Sequence, residues 1–229
     1  MLAEPFALNS VPLVDAGDRV REVLPGVFLL PQNENKGFGY SHFVKRPAGN
    51  LILDASRVGS LTDSFDELEA EGGVKAAVIS DRHLGGASTN QIAERFGAII
   101  YCSAIEANAM GHRVNQVTIH HALPFERTVV EGDVLLVPTP GHTAGQFSTL
   151  VEVGGSRVLF TADCVWRQAG RWRPGNASRK KMRAAFEGLR DLKFDVVVPW
   201  TSYTQTELFV PIGSVDQAVD DMIAACPKP

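Results

Sequence analysis

The sequence has few cysteines and no long apolar run, and both shortages exclude classes of protein. Its 229 residues include three dispersed cysteines, Cys102, Cys164 and Cys226, and no CxxC pair. An odd, scattered set argues against a disulfide framework and for a reduced compartment. No stretch approaches the roughly 20 apolar residues of a membrane span, and the first residues lack the basic and apolar regions of a signal peptide. We therefore expect a cytoplasmic protein that does not associate with membranes.

A strong excess of charge of one sign is also lacking. The formal net charge is −4, from 22 Lys and Arg against 26 Asp and Glu, and the basic residues are scattered. This balance argues against binding to nucleic acid or acidic lipid. A GxGxxG phosphate-binding loop is absent as well. A small-molecule substrate or ligand is the expected partner.

The chain contains no internal repeat, low-complexity segment or Pro/Ser-rich linker, which favours a single domain over residues 1–229 with an N-terminal extension at about 1–20. Short apolar or alternating runs outnumber the helical patterns, and helices punctuate each half of the chain. Ser-x-x-Glu/Gln capping boxes predict helix starts at Ser88, Ser103 and Ser214. This order indicates a sheet-on-sheet sandwich flanked by helices. The predicted strands cover 26–31, 40–46, 50–56, 74–80, 98–102, 114–120, 127–131, 133–138, 147–153, 157–161 and 195–199; the other two helices cover about 61–73 and the segment containing Met182, Phe186 and Leu189.

Two side chains in particular follow apolar strands, where a cleft would receive them. His142 lies in a Pro-Gly-His-Thr-x-Gly turn, whose glycines permit tight backbone geometry. Asp163 directly follows the apolar run of "RVLFTADCVW". A histidine taken alone is more often a surface or hydrogen-bonded residue than a ligand, so this context matters. The remaining histidines are His42, His83, His112, His120 and His121.

Several motifs together resemble the metallo-β-lactamase superfamily. "TPGHTAGQ" followed by "VLFTADCV" looks like that family's paired later motifs, and "NLILDAS" resembles its early strand, ending here in Asp54. "AAVIS" before a Gly-Gly turn and a helix occupies the position of its main metal motif. The resemblance covers about residues 20–200 in the right order. It implies an α/β (α+β) fold, a four-layered αββα sandwich with a metal cleft at one edge.

The main motif departs from the family pattern, His-x-His-x-Asp-His, and two alignments remain open. In the first, Asp81 falls on the first histidine and His83 on the second, and the Asp-His pair is missing. In the second, "RHLGGA" matches Asp-His-x-Gly-Gly, which makes His83 a ligand of the second metal and Arg82 a replacement for the aspartate. The late histidine is also missing, because Trp200 and Thr201 follow the strand where it is expected.

These losses exclude a two-metal site and leave two hypotheses. Four ligands remain of about seven that two metals need: Asp81, His83, His142 and Asp163. They would suit one divalent ion, zinc, or iron or manganese, in a metal-dependent hydrolase of an ester, thioester or lactone. Alternatively, Arg82 or another cation neutralises the carboxylates. The protein would then be a metal-free, non-catalytic ligand-binding or interaction protein on the same scaffold.

Overall fold

The computed structural model describes residues 20–30, 41–55, 62–111, 117–175, 178–199 and 207–226, which form two large sheets, one hairpin and five α-helices. The predicted N-terminal extension lies outside these residues. No helix within the described segments is long and apolar enough to cross a membrane.

The first sheet has seven strands that are neighbours in the order of the chain. Its early strands pair antiparallel, whereas the last four run parallel to one another. Parallel neighbours need crossover connections, and helices lie in the segments between them. The elements are β1 (Arg21–Leu24), β2 (Val27–Leu29), β3 (His42–Val44), β4 (Leu51–Leu53), α1 (Phe65–Ala70), β5 (Ala76–Ile79), α2 (Ala87–Phe96), β6 (Ile99–Ser103), α3 (Ala104–Gly111) and β7 (His121–Leu123).

The second sheet has six strands in the order β15-β14-β11-β10-β9-β8. All its neighbours pair antiparallel except β11 and β14, which are parallel. A separate hairpin, β12–β13, follows β11 in the chain. The elements are β8 (Thr128–Val130), β9 (Val134–Pro138), β10 (Phe147–Val153), β11 (Ser156–Phe160), β12 (Val165–Gln168), β13 (Arg171–Pro174), α4 (Arg179–Glu187), β14 (Val196–Val198), β15 (Val210–Pro211) and α5 (Val215–Ala225).

Three apolar clusters separate four layers of secondary structure. The central cluster joins inward side chains of both sheets, such as Val78 and Phe147. A second cluster packs Ile79 and other outward residues of the first sheet against α1–α3. A third packs Val197 and its neighbours on the second sheet against Phe186 of α4 and Met222 of α5. Strands buried on both faces explain the continuous apolar runs in the sequence, and the expected αββα sandwich is confirmed.

Several predicted boundaries are confirmed and others are wrong. The predicted strands 147–153 and 157–161 contain β10 and lie over β11, and the Gly154–Gly155 turn, with both residues at positive φ, joins the two. The predicted strand 114–120 is wrong over its described part, because residues 117–120 are irregular and the strand begins at His121. The β12–β13 hairpin is not among the predicted strands.

The predicted capping boxes are only partly confirmed. Ser88 does not start its helix: α2 begins at Ala87 after Gly86, whose N–H donates to the Thr89 hydroxyl at 3.3 Å. The hydroxyls of Ser103 and Ser214 do accept the N–H three residues later, at 3.1 and 3.3 Å. The reciprocal half differs, because the Glu106 carboxylate bonds elsewhere.

Candidate metal centre

Three strand ends carry the predicted ligands to one edge of the sandwich. β5 of the first sheet ends just before Asp81, and β9 and β11 of the second sheet precede His142 and Asp163. The Phe147 N–H donates to the Ser80 carbonyl at 3.0 Å, which ties the two sheets together at this edge. Side chains far apart in sequence therefore meet because the strands that carry them end side by side.

The loop after β5 is held from both sides. Asp54, which follows β4, accepts the Ser80 N–H at 2.8 Å with one carboxylate oxygen and lies 3.0 Å from the Ser80 hydroxyl with the other. Asp81 is fully buried, and its Oδ1 accepts the His83 N–H at 2.6 Å. The Leu84 N–H closes the turn on the Asp81 carbonyl at 3.1 Å. This tight turn aims the His83 ring back toward Asp81.

Two glycines make room for His142. A Cβ on Gly141 would lie 2.0 Å from the Met182 side chain of α4. A Cβ on Gly175 would lie 2.2 Å from the Asp163 carbonyl oxygen and 3.3 Å from His142 Nδ1. Since real Cβ atoms do not approach so closely, only glycine allows the end of the β12–β13 hairpin to pack on this loop.

Asp163 lies in a single 3₁₀ turn after β11. The fully buried side chain of Gln146 lies against this turn. With its oxygen facing the turn, Gln146 accepts the N–H groups of Asp163 and Cys164 at 3.1 and 2.9 Å. It therefore couples the His142 loop to Asp163, a role that the sequence pattern did not indicate. Cys164 itself is fully buried and packs in the core between the second sheet and helices α4 and α5.

The four predicted ligands converge. Asp81, His83, His142 and Asp163 each offer one ligand atom, and these atoms all lie within 4.8 Å of one another. His83 Nδ1 is 3.4 Å from Asp81 Oδ1, and His142 Nε2 is 3.4 Å from Asp163 Oδ2. Bonds of about 2.1 Å in a tetrahedral site put ligand atoms roughly 3.4 Å apart. These two pairs of side chains are therefore spaced as ligands of a single ion would be.

Burial and neighbouring carboxylates disfavour the ionised forms of both aspartates in the cluster. Burial raises the pKa of Asp81, and the charge of Asp163 raises it further. Burial likewise raises the pKa of Asp163, with a contribution from Asp54. Burial and the neighbouring His83 lower the pKa of His142 to about 4, so its imidazole is neutral at pH 7, the form that binds metals. Among the described residues, the buried Asp81 Oδ2 has no hydrogen-bond partner. A cation at this point would give that oxygen a partner and would favour the ionised forms of the two carboxylates.

Arg82, which the metal-free hypothesis assigns to neutralising the carboxylates, forms its bidentate ion pair with a carboxylate outside the four-residue cluster. Its Nε and one terminal nitrogen bind the carboxylate of Glu106 bidentately, at 2.6 and 2.9 Å. Glu106 is fully buried in the first turn of α3. The charge of Arg82 lowers the pKa of Asp81, but burial and the charges of Asp163 and Glu106 outweigh it, so the pKa is still raised. The sequence pattern does not reveal this pair, because Glu106 fits the last position of the capping box that begins at Ser103.

The remaining predicted candidates lie elsewhere. His42 is buried beside the Phe160 ring, with centroids 5.4 Å apart, and burial lowers its pKa to about 4. His120 and His121 are exposed, and neither belongs to the four-residue cluster. Trp172 packs in the outer core of the second sheet. Three others lie outside the described residues: His112, Trp200 and Thr201.

Comparison with known proteins agrees with this fold. The profile of the metallo-beta-lactamase superfamily matches residues 83–201, whereas no curated protein sequence matches the chain. A metallo-beta-lactamase from Pontibacter korlensis is 16% identical, with 91% of this chain and 98% of that chain covered and a TM-score of 0.66.

Two further solved structures are similar at the same level. A Cronobacter sakazakii metallo-beta-lactamase described by its HARLDQ motif is 18% identical over 82% of this chain and 80% of that chain, with a TM-score of 0.59. A class B3 enzyme from an Alaskan soil metagenome, described as di-zinc, is 18% identical over 86% and 83%, with a TM-score of 0.58. At such identities the structures establish the shared fold alone.

Proposed function

Because this chain belongs to the metallo-beta-lactamase superfamily, we propose that it binds one divalent metal ion, zinc in the first place, and acts as a metal-dependent hydrolase of an ester, thioester or lactone. The observation that carries the proposal is the convergence of Asp81, His83, His142 and Asp163, with ligand atoms within 4.8 Å of one another. Iron or manganese would suit the same set of imidazole and carboxylate ligands.

The protein's own residues divide the work of such a site. Asp81 Oδ1 accepts the His83 N–H and lies 3.4 Å from His83 Nδ1, and its Oδ2 has no hydrogen-bond partner among the described residues, so a carboxylate oxygen of Asp81 is available to an ion. His142, neutral at pH 7, offers Nε2, and Gln146 keeps Asp163 in register with the His142 loop. The His83 side chain is 45% exposed, so a substrate can approach from its side. A bound ion would supply Lewis acidity and lower the pKa of a water molecule.

One distance favours the competing, metal-free function. His83 Nδ1 and His142 Nε2 are 2.9 Å apart, which is a hydrogen-bond distance. It is shorter than the roughly 3.4 Å that two ligands of one tetrahedral ion adopt. A protein that keeps this bond would use the cleft edge to bind a ligand or partner without catalysis. The two functions therefore differ in one feature. In the hydrolase a metal ion replaces the hydrogen bond between His83 and His142, whereas the metal-free protein keeps it.

Metal content tests the proposal first. Protein purified without chelators should contain close to one equivalent of zinc, iron or manganese by plasma mass spectrometry. The His142→Ala variant should lose most of it, because it removes one of four ligands. A His121→Ala variant, which changes an exposed histidine outside the cluster, is the matched control. Wild-type protein without metal, before and after incubation with zinc, would refute the proposed site.

Activity tests the second half. Chelator-treated protein, zinc-loaded protein and the zinc-treated His142→Ala variant are compared on panels of aryl esters, thioesters and lactones. Hydrolysis should appear with zinc and be lost in His142→Ala. If the protein binds one equivalent of zinc but hydrolyses no substrate of the three classes, the proposed metal site stands and the proposed hydrolase activity is refuted.

A further inference from the structure

The Glu106 carboxylate reaches both loops that carry the candidate ligands. Its Oε2 accepts the Arg82 backbone N–H at 3.0 Å and Arg82 Nε at 2.6 Å. Its Oε1 accepts the Gly145 N–H at 2.7 Å and a terminal nitrogen of Arg82 at 2.9 Å. Arg82 lies between Asp81 and His83, and Gly145 lies three residues after His142. One side chain on α3 thus holds both ends of the cluster.

The surroundings of Glu106 are built for this contact. Its side chain is fully buried, whereas that of Arg82 is 29% exposed. Burial alone would raise the pKa of Glu106, but the hydrogen bonds from Arg82 and Gly145 outweigh it and hold the pKa below its usual range. A Cβ on Gly145 would lie 2.5 Å from Ser103 Oγ and 2.9 Å from Glu106 Oε1. The loop therefore approaches α3 only because residue 145 is glycine.

We propose that Glu106 is a positioning residue for the metal site, which sets the separation of His83 and His142 by fixing the Arg82 and Gly145 backbones. This inference rests on the proposed metal site. The four contacts divide as two donors on each oxygen, so a neutral amide cannot replace the carboxylate. In Glu106→Gln, the amide nitrogen faces donors whichever way it turns, and one of the two loops is released.

The test compares Glu106→Gln with Glu131→Gln. Glu131 is a matched control because its side chain is only 6% exposed and accepts from Tyr101 and Lys75, away from the cluster. Zinc affinity is measured by competition with a chromophoric chelator, the coordination geometry by the visible spectrum of the Co²⁺ form, and stability by thermal unfolding of the metal-free protein. Glu106→Gln should bind zinc about 10–100-fold more weakly, as outer-shell changes do, with an altered Co²⁺ spectrum. Glu131→Gln should keep wild-type affinity and spectrum, even if both variants lose stability.

A second variant, Arg82→Lys, keeps the proposal testable if Glu106→Gln does not fold. Arg82→Lys keeps the positive charge and both backbone contacts to Glu106 but loses the bidentate pair. It should weaken zinc binding less than Glu106→Gln does, and more than Glu131→Gln. Wild-type zinc affinity and Co²⁺ spectrum in the variants that fold would overturn the inference while leaving the metal site intact. A wild-type protein that binds neither ion would overturn both.

Discussion

At the scale of single residues, the candidate centre depends on buried carboxylates that have different tasks. Asp54 holds the end of β5 through Ser80 and is 3% exposed. Asp81 is equally buried but keeps one oxygen without a partner among the described residues. An aspartate that braces the backbone and one that faces the cluster should therefore respond differently to the loss of charge.

Asp81→Asn should abolish tight zinc binding without unfolding the protein. The asparagine oxygen can still accept the His83 N–H, whereas the charged ligand atom is lost. We expect a fall in zinc affinity larger than the roughly 10–100-fold of outer-shell changes, measured by chelator competition. Asp191→Asn, which alters an exposed ion pair with Arg127, should bind zinc normally. Equal affinity in the two variants would show that Asp81 is not a ligand.

Asp54→Asn should remove a pH dependence of stability from the metal-free protein. Burial raises the pKa of Asp54 from 3.8 to about 7, so the folded state binds more protons than the unfolded state between these values. The free energy of unfolding therefore falls as pH rises through this window, by about 1.4 kcal/mol per unit of pKa shift at most. Asparagine keeps an acceptor for the Ser80 N–H and does not titrate.

Urea denaturation of both proteins from pH 4 to pH 8, with chelator present, measures this difference. The advantage of the variant over wild type should grow with pH and level off above about pH 7. A difference that is constant across the range would contradict the assignment of a raised pKa to Asp54.

At the scale of elements, we expect the packing of the β12–β13 hairpin on the His142 loop to affect both the stability of the protein and its zinc affinity. Gly175→Ala should destabilise the protein by about 1–3 kcal/mol, because the new Cβ forces the backbone away from Asp163. Zinc affinity should fall as well, since His142 Nδ1 lies next to the same Cβ. Gly213→Ala is the control, because nothing lies within 4 Å of its Cβ. Urea denaturation measures the change in stability, and chelator competition measures the change in zinc affinity. A Gly175→Ala variant with the same stability and zinc affinity as Gly213→Ala would contradict this packing.

Local pattern located the strands that are buried on both faces well, and the short or partly exposed elements poorly. Apolar runs such as 74–80 and 147–153 contain β5 and β10, since burial on both faces leaves a strong signal. The two-residue strand β15 and the partly exposed β12–β13 hairpin leave almost none. Ser88 shows the limit at a helix start, where Gly86 and Thr89 took the capping role.

At the scale of the whole molecule, the cluster lies where loops of both sheets meet, and metal binding should act on the global stability. Zinc at about 100 times its dissociation constant should stabilise the folded state by about 2.7 kcal/mol. The melting temperature should rise with zinc and return to the metal-free value with chelator, as scanning calorimetry measures. An unchanged melting temperature in both conditions favours the non-catalytic, metal-free alternative.

Hydrogen exchange should show where this stabilisation lies. Zinc should slow exchange in the loops at 80–84, 141–146 and 162–164, which the ion would tie together. Amides in the central strands β5 and β10 should change little, because they open mainly by global unfolding. Mass spectrometry of exchanged peptides with and without zinc makes the comparison. Uniform changes across the chain would argue against a local site at this edge.

The sequence by itself determined a sheet-on-sheet sandwich flanked by helices, because apolar runs and glycine turns are local features. Its motifs placed His142 and Asp163 at strand ends, and their resemblance to the metallo-β-lactamase superfamily added the four-layered order and the candidates Asp81 and His83. Only the tertiary structure decided that Asp81, His83, His142 and Asp163 meet at one point, and that Arg82 binds Glu106. Both depend on contacts between residues tens of positions apart, which no local pattern records. A glutamate on a helix looks the same in the sequence whether its carboxylate caps its own helix or binds the backbone of a distant loop.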